Sequence, residues 1–145
     1  MTRLENLFYD IKDLLYVVQR NFENLPETYV VGEHDDLDLF CADENKLPIL
    51  AILSKYPEIK ADVRSAKDKY YPEHIGQMML GDRDRIGIFI FVPNKKGYFF
   101  SLFYHNAVHK EDNPYGEKLK QLFLENFPPV KCVDEGVGYY IDDTD

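Results

Sequence analysis

The segment Asp36–Cys41, DLDLFC, sets an acid before an apolar residue twice and then closes on Phe40 and Cys41. A strand points successive side chains to opposite faces. Read as a strand, the segment projects Asp36 and Asp38 from one face and sends Leu37 and Leu39 into a core. A second segment, Ile59–Ser65 (IKADVRS), places Asp62 between Ala61 and Val63, with Arg64 on the same face two residues later. A carboxylate inside an apolar strand is unfavourable unless it is paired or bound to a cation. A fold that uses both segments therefore has to supply positive charge to their acids. If the two strands are neighbours, Asp36, Asp38 and Asp62 converge.

Around these strands, helix and strand patterns interleave. Leu4, Leu7, Phe8, Ile11, Leu14, Leu15, Val18 and Phe22 recur at helical spacing, and Thr2 stands where a cap would be. The spacing predicts one amphipathic helix over that stretch, ended at Pro26. TYVVG (28–32) reads as a strand. Asp43 is placed to cap a second helix, ENKLPILAILSKY, with Pro48 near its first turn. Pro72 to Leu80 reads as a short helix closed at Gly81. IGIFIFVP (86–93) reads as one buried strand, NKKG (94–97) as a turn, and YFFSLFYHNAVHK as an apolar stretch that becomes helical. A last amphipathic helix turns Leu119, Leu122, Phe123 and Phe127 inward, and an edge strand and an acidic tail follow. There is no repeat, low-complexity tract or linker. The expected architecture is α/β or α+β, with a single mixed sheet packed by helices and one domain over residues 1–145.

The chain has 145 residues, 45% of them hydrophobic, which suffices for a real core. Its net charge of −9 argues against holding a long nucleic acid on a basic face. A small phosphorylated ligand, which needs only a metal and a few cations, remains compatible. Apolar runs fall far short of the roughly 20 residues that span a membrane. The N-terminal stretch carries acids throughout, unlike a signal peptide, and Cys41 and Cys132 are the only cysteines. A cytoplasmic protein with reduced thiols is expected.

The chemistry that suits converging carboxylates is binding of a hard divalent cation. Mg²⁺ takes oxygen ligands and keeps waters for substrate phosphates. Two such ions can clamp the attacking and leaving oxygens of a phosphoryl displacement. The plainer reading is a solvated acidic turn, with Asp62 answered by Arg64 or a lysine. A calcium loop fits less well, because Phe40 occupies the next ligand slot. His105 and His109 are four apart and would share a helix face, as part of a core-edge helix or as a phosphate-contacting pair. His34 beside the acids and His74 read as surface residues. Arg64 can neutralise the acids or hold a phosphate in two bonds. Tyr70, Tyr71 and Tyr98 can stack on a base or sit in a core.

Gly32, Asp36, Asp38 and Asp62 follow a pattern, G-x(n)-D-h-D-h and then h-D-h, that resembles the nucleotidyltransferase fold of DNA polymerase beta and its small bacterial relatives. DVRSAKDKYYP, followed by IFVPNKKGYFFSLFYHNAVHK, also resembles uncharacterised members found near surface-polysaccharide genes. The likeness runs from about Thr28 to Lys110. It implies a metal-dependent transfer of a nucleotidyl group to a hydroxyl. Asp36 and Asp38 would hold Mg²⁺ or Mn²⁺, and Asp62 would complete the metal site and help activate the acceptor. Gly32, Arg64 and His105 would lie against the nucleotide, a nucleoside triphosphate or another small phosphorylated ligand.

The chain departs from the family where Gly-Ser and a phosphate-binding helical turn normally precede the acids. Here Gly32 is followed by Glu33 and His34, with three residues before Asp36. This shortening keeps two other readings open. One is a catalytically silent binding module of the same fold. The other is a small acidic protein that blocks a basic site on a protein partner.

Overall fold

In the computed structural model of the chain, which describes residues 2–20, 22, 25, 37–87, 89–110, 112–127, 129–132 and 136–139, Thr2 opens the first helix. Its Oγ1 accepts the Glu5 N–H at 3.1 Å, and Glu5 Oε1 accepts the Thr2 N–H at 3.1 Å. This reciprocal cap satisfies two backbone donors at the start of α1 (Arg3–Ile11). Leu4, Leu7, Phe8 and Ile11 form its buried stripe, each contributing about 1.5–3 kcal/mol by leaving water.

The helix does not continue to Phe22. It ends at Ile11, and Tyr16–Val18 is strand β1 instead. The cause lies in the run Leu14 to Val18, five apolar residues in succession. One helical stripe cannot bury such a run, whereas a strand covered on both faces buries its Tyr16–Val18 portion, while Leu15 before it stays exposed. Tyr16, Val17 and Val18 are all fully buried.

β1 runs antiparallel to β2 (Leu37–Cys41), and β2 runs parallel to β3 (Ala61–Ser65), giving a mixed sheet of order β1-β2-β3. α2 (Asp43–Leu53) connects the parallel pair and packs on β3, with α1 against α2. The strands expected to carry the acids are therefore adjacent, backed by the helices expected there. Asp43 differs from expectation in its job. It sits in the first turn of α2 rather than at the cap position, and its Oδ1 accepts the Lys67 N–H at 3.0 Å.

α3 (Glu73–Leu80) ends at Gly81 as expected. A Cβ on Gly76 would stand 2.9 Å from Cζ of Phe40, so the bare glycine lets α3 approach β2. The apolar run 86–93 is a hairpin rather than one strand: β4 (Asp84–Ile86) pairs antiparallel with β5 (Ile90–Val92) around Gly87 at φ +64°. β5 lies against β1, where Tyr16 Oη donates to the Phe89 carbonyl (2.8 Å) and accepts the Phe91 N–H (3.3 Å). The expected turn at 94–97 is the start of α4 (Lys95–Tyr104), because Asn94 Oδ1 accepts the Gly97 N–H at 2.8 Å and so caps a helix.

The chain divides into two compact units, Met1–Ser101 and Leu102–Asp145. The second contains a π-helical turn His105–His109, α5 (Gly116–Asn126), and the antiparallel pair β6 (Pro129–Cys132) and β7 (Gly136–Tyr139). Within it, Asn106 Nδ2 donates to Asn113 Oδ1, and Asn106 Oδ1 accepts the Tyr115 N–H at 3.1 Å. Leu119 and Leu122 of α5 and Phe127 just after it are buried as expected, whereas Phe123, also expected inward, is only half-buried. The whole is α+β, with the mixed sheet accompanied by two short antiparallel pairs. Among the described residues no helix is long and apolar enough to cross a membrane.

Candidate functional site

Asp38 and Asp62 are direct partners in the β2–β3 register. Residues opposite one another in a parallel pair share a face, on strands roughly 4.8 Å apart. The two carboxylates therefore leave the sheet side by side. Phe40 and Arg64 form the next pair on that face. Asp62 is exposed, whereas the Asp38 side chain is 18% exposed and is the more costly charge to leave alone.

The cation at Asp38 is Arg20, with Nη2 at 3.5 Å from Oδ2 and a side chain only 8% exposed. The guanidinium is fixed from its other side. Nη1 donates to Gln19 Oε1 (3.1 Å) and to Tyr71 Oη (3.0 Å), while Tyr71 Oη donates to Gln19 Oε1 (2.7 Å). Gln19 is anchored in turn, its Nε2 donating to the Leu39 carbonyl (3.1 Å) and its backbone N–H to the Asp38 carbonyl (2.9 Å). The three polar side chains thus lock one another at the end of β1. Burial works against the charge on Arg20, but Tyr71, Asp38 and Tyr70 outweigh it and hold the guanidinium above its usual range. Burial also pushes the Tyr71 hydroxyl up to about 12, so it stays protonated and keeps its donated bond.

An aromatic layer borders the network. Tyr71 meets Phe40 edge-on with ring centroids 5.8 Å apart, and Tyr70 meets Tyr71 edge-on at 5.0 Å. The Arg64 guanidinium lies over the Tyr70 ring at 3.8 Å, a cation–π contact worth about 0.5–1 kcal/mol at a partly exposed site.

Of the expected site residues, Asp38, Asp62 and Arg64 thus meet on one face of the sheet. Gly32 and Asp36, with Glu33 and His34, lie outside the described residues. His105 belongs to the second unit, where it is buried in the π-helical turn with its ring 5.7 Å from that of His109 and 5.8 Å from that of Tyr115. His74 is exposed. Tyr71 and Tyr98 are core residues, and Tyr70 is the partly exposed member of the three. Among the described residues no three of His, Cys, Asp or Glu come together as a metal-holding group.

The residues missed by the sequence reading are Gln19 and Arg20. Placed on a long helix they look like a solvated polar end. The five-residue apolar run just before them was the available signal that the chain had become a strand running into the core. Chemically, the Asp38–Asp62 pair offers two hard oxygen donors with one buried cation beside them, a donor set that suits Mg²⁺ binding through one or two carboxylates plus phosphates. Comparison of the chain with protein-family models, with curated proteins and with solved structures gave no match.

Proposed function

We propose that the chain is a metal-dependent, nucleotidyltransferase-like protein that moves a nucleotidyl group to a hydroxyl acceptor. Asp38 and Asp62 would hold Mg²⁺ or Mn²⁺, together with Asp36 from the preceding residues. The observation that supports this reading is the register: Asp38 and Asp62 stand side by side on adjacent parallel strands, where unscreened like charges are destabilising. The bound ion would supply electrostatic stabilisation of charge developing on the transferred phosphoryl group. Asp62, the exposed member, would help activate the acceptor hydroxyl. Arg64, which lies over the Tyr70 ring, would offer a cation to a phosphate on the same face. The setting proposed is the cytoplasm, which suits the buried free thiol of Cys41.

The test is a thermal-shift series with Mg²⁺ and Mn²⁺, each with and without nucleoside triphosphates, on wild type, Asp38→Asn and Asp62→Asn. The expected result is metal-dependent stabilisation of wild type and its loss in both variants. If no triphosphate binds at millimolar concentration in either metal, the transferase reading is abandoned.

A second reading is a silent binding module of the same fold. The observation favouring it is Arg20, which balances Asp38 without any metal. Nucleotide binding with no turnover against any hydroxyl acceptor would select this reading.

A further inference from the structure

We infer that the open face of α2 is a contact surface for a second copy of this chain, which meets it with the same face, antiparallel, about a two-fold axis. α1 and β3 pack against other sides of α2, and Ile49 is its fully buried residue. The open side leaves Leu47 at 77% exposure, the highest of any large hydrophobic residue described, and Leu50 at 41%. Pro48 and Ala51 are exposed beside them. A helix that is apolar on its outer side as well as its inner one carries more apolar surface than its own fold covers.

The charges around α2 say what covers the rest. Those off the open face are used within the chain: Lys46 Nζ pairs with Asp68 at 2.8 Å, and Asp43 accepts the Lys67 N–H. The two on it, Glu44 and Lys55, are exposed, and among the described residues neither forms an ion pair with its own chain. They stand at opposite ends of one stripe. Glu44, Pro48, Ala51 and Lys55 follow at intervals of four, three and four, which keeps them on one helical face. Ser54 holds αR backbone, so the helical path carries on towards Lys55. At 1.5 Å per residue the two charges are about 16 Å apart along the axis. With a two-fold axis between Pro48 and Ala51, Pro48 of each copy faces Ala51 of the other, whose short side chain permits close approach. Glu44 of each copy then meets Lys55 of the other, and Leu47 and Leu50 lie along the seam. A two-fold contact requires a surface that complements itself. This face does so, whereas a partner of one charge sign matches only one of its ends.

One helical stripe buries less than the roughly 800 Å² per partner of a standard interface. Each copy also carries a net charge of −9, a repulsion that salt at 0.15 M screens beyond about 8 Å. The expected association is therefore weak, with Kd on the order of 0.1 mM.

The experiment is sedimentation equilibrium of the full-length chain at up to about 1 mM in 0.15 M salt, on wild type, Leu47→Glu, Glu44→Lys, Lys55→Glu and an equimolar mixture of the last two. Circular dichroism checks that each is folded. Wild type is expected to dimerise reversibly. Leu47→Glu is expected to weaken the dimer by ten-fold or more, and each charge reversal by about five- to ten-fold, because every end then holds like charges. In the mixture one chain brings two positive ends and the other two negative ones, so the mixed dimer is expected to return to within about three-fold of wild type. A wild type that stays monomeric at this concentration overturns the inference and leaves the face to a different protein. A dimer indifferent to Leu47→Glu uses another surface and overturns it too. A mixture no tighter than its components rejects the antiparallel register, and with it the inference. Should Leu47→Glu fail to fold, the charge reversals and their mixture decide.

Discussion

The two ends of the β2–β3 pair both carry acids, and they treat them differently. At the end nearer Cys41 and Ser65, the acids serve the backbone. Asp68 accepts the Ser65 N–H (2.8 Å) and holds Lys46 Nζ at 2.8 Å, and Asp43 accepts the Lys67 N–H. The Lys46 and Asp68 side chains are 29% and 35% exposed, so each has water as an alternative partner. At the other end, Asp38 and Asp62 stand opposite each other, and a buried arginine meets one of them. Burying a guanidinium is expensive unless its geometry and its remaining hydrogen bonds are good. The fold uses Gln19 and Tyr71 to meet that condition. The contrast teaches that the acids nearer Ser65 build a loop, while the acids at Asp38 require a loop to be built around them.

The most forceful way to break the contrast is Arg20→Met. It leaves Asp38 beside Asp62 with its buried partner gone, and removing one member of a buried pair costs about 3–5 kcal/mol. Urea denaturation measures this, and a loss under about 1 kcal/mol would place Arg20 among ordinary surface pairs. Adding Asp38→Asn to Arg20→Met should recover part of the loss, because the stranded charge is removed as well.

Gly76→Ala tests whether α3 closes the sheet face beside the acids. The added methyl would meet the ring of Phe40, which is 2% exposed and cannot yield easily. Overpacking of this kind costs about 1–3 kcal/mol. The diagnostic comparison is Gly76→Ala with Phe40→Leu, where the smaller side chain should recover much of the loss. Absence of recovery would mean that α3 does not bear on Phe40.

Tyr71→Phe removes one hydroxyl that both accepts from Arg20 and donates to Gln19. Leaving these groups short of a partner costs about 1–2 kcal/mol. The Gln19→Leu, Tyr71→Phe double variant should lose less than the two single losses added together, since the residues share one network. Strict additivity would show that they act independently.

How far the sequence discloses this arrangement follows from which forces are local. Alternation in DLDLFC and ADVRS is a local property, and it placed Asp38 and Asp62 correctly on strands of one mixed sheet. Proline and glycine punctuation located α2 and α3 for the same reason. The strand β1 is harder to read, because Leu4 to Phe22 also fits a helical stripe by spacing; only the unbroken apolar run Leu14 to Val18 speaks locally for a strand, and pairing with β2 fixes it for Tyr16, Val17 and Val18. The positions of Gln19 and Arg20 follow from that pairing, so nothing local marks the arginine as a buried cation. Asn94 shows a different failure, in which a polar tetrad reads equally as a turn or as a helix start until the apolar stretch after Tyr98 decides.

The smallest expected effect is at the other end of the pair. Asp68→Asn keeps a side-chain oxygen for the Ser65 N–H but removes the charge that faces Lys46. The two partners are substantially exposed, and pairs of this kind contribute about 0.2–1 kcal/mol at most. The hydrogen bond from Lys46, followed by that from Ser65, holds the Asp68 carboxyl below the ordinary carboxylate range. A depressed folded value means that the contribution is fully present above the unfolded value, about 3.9, and is lost as pH falls through the folded one. Wild type should therefore exceed Asp68→Asn slightly in stability at pH 7, and the difference should vanish once acidification passes below the depressed folded value. Molar salt at neutral pH should shrink the difference too, since the charges are near water. The measurement is a set of urea midpoints for the two proteins at neutral and acid pH and at two salt concentrations. A difference that persists in acid, or one as large as that for Arg20→Met, would erase the distinction between the two ends.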